Sequence, residues 1–94
     1  MFIIDTPEYR EVYTKALKVW GNEKQKLQTV GEIGEFLTEL GREGQGRSSH
    51  SQIIDEIADV MIMMNQMAMI YGEDDVRERI KIKIEKVKTK LKDK

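Results

Sequence analysis

Glu32 and Glu35, then Glu56 and Asp59, form two acid-x-x-acid pairs. On a helix this spacing brings both carboxylates of a pair to one face, about one turn apart. Both pairs lie in apolar sequence, Val30-Gly31-Glu32-Ile33-Gly34-Glu35-Phe36-Leu37 and Ile53-Ile54-Asp55-Glu56-Ile57-Ala58-Asp59-Val60-Met61. A carboxylate on a buried face is costly unless something positive compensates it. Neither segment contains Lys or Arg. A divalent cation is the simplest source of the missing charge, and oxygen-only donors suit Mg²⁺, with Mn²⁺ as a substitute. One such pair would be ordinary on a solvated helix face. Two pairs on consecutive helices, the second inside an otherwise apolar helix, carry more weight.

The elements that must position these residues are helical. Pro occurs once, at position 7, and β-branched runs are few. A first helix starts with Asp5 or Thr6 as N-cap and Pro7 in its first turn, and runs to about Trp20, where Gly21-Asn22 breaks it. A second runs from about Glu23 to Leu40, with an apolar stripe of Leu27, Val30, Gly34, Leu37 and Gly41. Glu32, Glu35 and Glu39 line the neighbouring edge. Residues 41–49 read as a loop, with three Gly and two Ser. Ser49-x-x-Gln52 fits a capping box opening a third helix, about Gln52 to Tyr71. Val60 to Met64 is uninterrupted apolar sequence, so this helix is expected to be buried on most sides. Three neighbours in so small a chain cannot surround it, which predicts a subunit interface. Five Met between 61 and 69 suit an adaptable core or dimer seam. Gly72 ends the helix, and Glu73-Asp74-Asp75 opens a fourth. Its stripe is Val76, Ile80, Ile84, Val87 and Leu91, beside a basic edge of Arg79, Lys83, Lys86 and Lys90.

The 94 residues suffice for one small domain, which often gains stability by oligomerising. The chain has no Cys, so disulfides and thiolate metal sites are excluded. The N-terminus has no basic n-region or long apolar h-region, and the run from Val60 to Tyr71 is too short to span a bilayer. A cytoplasmic, soluble protein is expected. Net charge is −1, but residues 76–94 carry nine Lys/Arg against three Asp/Glu, and residues 1–75 carry seven against fourteen. An acidic centre with a basic end segment suits a protein that holds metal and polyphosphate together. A Lys-rich last helix also serves solubility and the helix dipole.

The segment Lys26-Leu27-Gln28-Thr29-Val30-Gly31-Glu32-Ile33-Gly34-Glu35-Phe36, followed by Asp55-Glu56-Ile57-Ala58-Asp59-Val60-Met61-Ile62-Met63, resembles the MazG-like nucleotide pyrophosphohydrolases. These belong to the all-α NTP pyrophosphatase superfamily, whose signature is EExxE followed by ExxD on the next helix. The likeness extends to Ala16-Leu17-Lys18-Val19-Trp20-Gly21 and Gln66-Met67-Ala68-Met69-Ile70-Tyr71-Gly72, and covers about residues 13–90. It implies a four-helix domain completed by oligomerisation as a homodimer or homotetramer. It also implies Mg²⁺-dependent cleavage of a nucleoside triphosphate between the α and β phosphates, giving monophosphate and pyrophosphate. Glu32, Glu35, Glu56 and Asp59 match the metal ligands. By the chemistry of the parts, one carboxylate among these four, with Glu35 and Glu32 put first, would position or deprotonate the attacking water. Lys83 and Lys86 match the phosphate-gripping cations. Two departures are Gly31, where the family has the first Glu of its motif, and Lys86, where it often has Arg.

Other residues admit two readings each. Trp20 could stack on a base or pack in a core or interface. Asn65 could face the substrate or fix register in a seam. His50, Arg42 and Arg47 could reach phosphate from the loop, or simply be solvated there. A phosphoribosyl-ATP pyrophosphatase shares fold and length with the favoured reading. A non-catalytic metal-binding helical oligomer is the alternative from another class. A nucleic-acid binder ranks last, because the basic edge lacks interleaved aromatics.

Overall fold

The computed structural model describes residues 6–94, which form four α-helices and no strand. Helix α1 spans Pro7–Trp20; Thr6 caps it, its hydroxyl accepting the Tyr9 N–H at 3.2 Å. Asp5, the other candidate cap, lies outside the described residues. Gly21, at φ +88°, turns the chain into α2, Asn22–Gly44. Helix α3 spans His50–Tyr71 and opens with the expected capping box: Ser49 Oγ accepts the Gln52 N–H at 3.2 Å, and Gln52 Oε1 accepts the Ser49 N–H at 3.1 Å. Gly72, at φ +117°, separates it from α4, Glu73–Lys92.

Two boundaries differ from the sequence reading. Helix α2 continues past Leu40 to Gly44, leaving residues 45–49 as the connection. Gly41 and Gly44 disfavour helix by about 1 kcal/mol each. That cost is offset locally, because Ser48 Oγ donates to Glu39 Oε2 at 2.6 Å and Arg42 pairs with Glu39 at 3.8 Å. Helix α3 starts two residues before Gln52, because Ser49 is its N-cap and His50 its first helical residue.

The dominant packing is α2 against α3. Three pairings define an antiparallel register. Gln25 Nε2 donates to Gln66 Oε1 at 2.8 Å, Glu32 meets Glu56, and Glu39 accepts from Ser48. One partner's number rises as the other's falls, as two helices joined by a short connection require.

The face α2 turns inward is not the apolar stripe. Its most covered residues are Gln25, Thr29, Glu32, Phe36 and Glu39, at spacings of four and three. Leu27, Val30 and Leu37 are exposed, at 73%, 69% and 60%. Facing the seam, α3 contributes Ile53, Glu56, Val60 and Met63. Helix α1 packs on both through Tyr13 and Ala16. Helix α3 buries Ile53, Met63 and Ala68 but leaves Ile54, Ile57, Ile62 and Met64 exposed, so within one chain it is covered on part of its circumference only.

Helix α4 packs its backbone on α3 alone, buries no residue, and is exposed at every position from 78 onward. Its first turn is held to α1 by Arg10, whose Nη1 donates to Glu73 Oε2 at 3.0 Å and whose Nη2 donates to Glu73 Oε1. Arg77 adds a second cation to Glu73 at 3.3 Å. The radius of gyration is 15.7 Å. A compact chain of this length would have about 12 Å.

Hydrogen bonding from Arg10 holds the Glu73 carboxyl below its ordinary range, with the charges of Arg10 and Arg77 acting in the same direction. A carboxyl depressed in the fold stabilises it above the unfolded value of 4.5, and loses that contribution as pH falls through the lower folded value. Glu73→Gln should therefore lower stability at pH 7 by on the order of 1 kcal/mol, after allowance for solvent screening. In thermal melts across pH 2–7 the gap between variant and native chain should close at the acid end.

Candidate metal centre

The α2–α3 register sets Glu32 and Glu35 of one helix against Glu56 of the other. One carboxylate oxygen from each lies within 4.8 Å of the others. Glu32 and Glu56 are half-buried and Glu35 is exposed, so the trio forms a cluster open on one side. Glu35, Glu39 and Glu56 line a surface cleft together with Gly31, Gly34 and Thr38.

Among the described residues no Lys or Arg pairs with any of the three carboxylates; the nearest such pair, Arg42 with Glu39, is one turn away. Gln28 Nε2 donates to Glu32 Oε1 at 2.9 Å, a neutral donor one turn back on α2. Glu32 Oε2 and Glu56 Oε2 are buried without a hydrogen-bond partner among the described residues. Burial, reinforced by the negative charges of Glu35, Asp59, Glu32 and Glu39, pushes the Glu56 carboxyl above its ordinary range. Two orphaned buried oxygens in an all-oxygen donor set fit a hard divalent cation, whose remaining positions would stay open on the cleft side.

Asp59 sits one turn beyond Glu56 on α3 and is exposed. It lies outside the close trio, yet near enough for its charge to act on Glu56. Lys83 and Lys86 are on the exposed part of α4, which makes no backbone approach to α2, and among the described residues neither forms an ion pair. Asn65 is nine residues after Glu56, half a turn out of phase with it. Its amide is buried towards α1, donating to Met61 O at 2.9 Å and to Tyr13 Oη at 3.4 Å. Trp20 is exposed at the end of α1, beside Val12, Ala16 and Val19 on a shallow apolar patch. His50 is exposed at the start of α3. The structure thus assembles Glu32, Glu35 and Glu56, and leaves Trp20, Asn65, Lys83 and Lys86 apart from them within one chain.

Glu39 and Gln28 stand beside the cluster without having been singled out as site residues. The signal for both is their i,i+4 relation to Glu35 and Glu32. No family model, curated protein or solved structure significantly matches the chain. No helix among the described residues is long and apolar enough to cross a membrane.

Because the folded Glu56 carboxyl is harder to ionise than the unfolded one, its charge at neutral pH works against the metal-free fold. Glu56→Gln should raise the melting temperature in EDTA at pH 7. Added Mg²⁺ should stabilise the native chain and leave the variant nearly unmoved. A variant that melts lower in EDTA, with both chains indifferent to Mg²⁺, would remove the metal centre. At Gly31 an added Cβ meets no atom within 4 Å. Gly31→Glu would bring a further carboxylate to the cleft, and calorimetric titration should show Mg²⁺ bound several-fold more tightly.

Proposed function

We propose that this chain is a Mg²⁺-dependent nucleoside triphosphate pyrophosphohydrolase that yields the monophosphate and pyrophosphate. The observation that supports this reading best is the convergence of Glu32, Glu35 and Glu56 across the α2–α3 seam, with two buried oxygens lacking partners. The same residues, with Asp59, carry the resemblance to the MazG-like family.

In this reading Glu32, Glu35 and Glu56 hold the cation, and Asp59 adds charge from the next turn of α3. When bound, Mg²⁺ would neutralise triphosphate oxygens and lower the pKa of a water. Glu35 is the exposed member of the trio, so its carboxylate can orient a water and accept its proton as the water attacks the α phosphorus. The bond that breaks joins the α phosphorus to the bridging oxygen of the pyrophosphate. Lys83 and Lys86 would stabilise charge on that leaving group as point charges, without the forked geometry of Arg.

A second reading, a metal-binding oligomer without turnover, is favoured by two observations. Gly31 leaves the cleft with one carboxylate fewer than the family pattern, and the lysines of α4 stand apart from α2 within one chain. The deciding experiment is pyrophosphate release with Mg²⁺ across all ribo- and deoxyribonucleoside triphosphates and phosphoribosyl-ATP. The native chain should turn over at least one of them, and Glu56→Gln should lower the rate by roughly 10²-fold or more. Mg²⁺ binding by a folded chain that releases no pyrophosphate from any of these substrates would favour the second reading.

A further inference from the structure

We propose that Gln25 and Gln66 are positioning residues. Their paired amides fix where α2 lies along α3 and which face it turns inward, and so bring Glu32 and Glu35 against Glu56. The fixing of the seam stands on the packing; its consequence for a cation rests on the hydrolase reading above.

Gln25 and Gln66 are 5% and 4% exposed, and Gln25 Nε2 donates to Gln66 Oε1 at 2.8 Å. Among the described residues this is the one hydrogen bond between α2 and α3 away from their connection. Buried Thr29 does not share the task, because its hydroxyl donates to Gln25 O on its own helix at 2.8 Å. Asn65, the neighbour of Gln66, donates instead to Tyr13 of α1. Asn65 and Gln66 are the two polar residues in the run from Val60 to Ile70, and each addresses a different neighbouring helix.

The rest of that run does not choose a register. Its other side chains are Met, Ile and Ala, and pliable thioethers pack against apolar partners in many arrangements. The amides do choose. Slipping α2 by one turn would set Gln25 against Ile62 or Ile70, four residues either side of Gln66. Its amide would then be buried among hydrocarbon without an acceptor, which costs far more than the paired amide gains. A single buried polar contact in an apolar seam selects register in this way.

The amides also select the face. Leu27, Val30 and Leu37 are exposed, and lie roughly 130° around α2 from Gln25, Thr29 and Phe36. Turning that stripe onto α3 would gain apolar burial within the chain and part the repelling carboxylates. Hydrophobic burial and charge thus both pull α2 away from its observed setting, and the amide pair opposes them. Glu32 is seven residues beyond Gln25, about two turns on the same face, so holding Gln25 holds Glu32.

The test reads the seam directly. The chain has no Cys, so Lys24→Cys on α2 and Asp55→Cys on α3, both exposed, take spin labels. Labelled chain is diluted in unlabelled chain, so that double electron–electron resonance reads distances within one chain. Circular dichroism checks folding. The native background should give one narrow distance distribution. Gln25→Met/Gln66→Met keeps the volume and removes both amides. It should melt no lower than the native chain, because replacing both partners by matching hydrocarbon is close to neutral or stabilising. Its distances should nevertheless spread or shift by about 5 Å, one helical turn, or more. Without the labels, its Mg²⁺ affinity should fall at least tenfold. A single native-like distance in the double variant, at any melting temperature, would overturn the proposal. So would a broad distribution in the native background. Should the double variant lose helicity, Gln66→Glu and Gln66→Met replace it. Gln66→Glu keeps an oxygen that accepts from Gln25 and should hold the native distance, whereas Gln66→Met should not. Equal distributions in the two would overturn the proposal. The distances need no metal, so a native chain indifferent to Mg²⁺ would count against the hydrolase reading and leave the register to be judged by the labels.

Discussion

Glu32, Glu35 and Glu56 meet where α2 and α3 are pressed together, and like charges there repel through a medium less polar than water. The seam tolerates this because it is anchored on either side. Gln25 and Gln66 pair beyond the cluster on one side, and Ser48, Glu39 and Arg42 tie the connection on the other. Between those anchors Ile53, Phe36, Val60 and Met63 supply the apolar contact that keeps the helices adjacent. A seam made for stability alone would have filled the same positions with hydrocarbon. Carboxylates held together with buried, unpartnered oxygens are the observation on which the proposed cation site rests.

Helix number, order and caps were legible in the sequence because their signals are local. Thr6, Pro7, Ser49 with Gln52, Gly21 and Gly72 each act within a few residues of themselves. The meeting of Glu32 and Glu35 with Glu56 follows from a short connection that makes α2 and α3 antiparallel neighbours, while Asp59, the second acid of its pair, stays outside the close trio. The inward face of α2 was not. Leu27, Val30 and Leu37 advertise a buried stripe, yet the chain turns Gln25, Thr29 and Glu32 inward instead. Hydrophobic periodicity identifies a face that leaves water; it does not say whether the same chain or another covers it. The end of α2 was missed for a related reason, since Gly41 and Gly44 stay helical through contacts of Glu39 with Arg42 and Ser48 that no propensity scale contains. The placement of Asn65 follows from phase: nine residues carry it to the opposite side of α3 from Glu56, towards Tyr13.

This division of faces organises the molecule. Polar groups of α2 serve the internal seam, and its aliphatic residues look outward. Helix α4 goes further, with no buried residue at all and an ionic clasp, Arg10 to Glu73, holding its first turn to α1. Apolar surface left in this state is unfavourable in water and favours association.

The cluster also has a place in time. Helices α2 and α3 are neighbours in sequence, and contacts between neighbours form early because little chain entropy must be lost to make them. The three carboxylates therefore meet on the way to the native state, before distant elements have settled around them. Their repulsion is then part of the folding barrier and not only of the final balance, so dissolved cations that screen it would speed the chain's collapse as well as steady the finished fold.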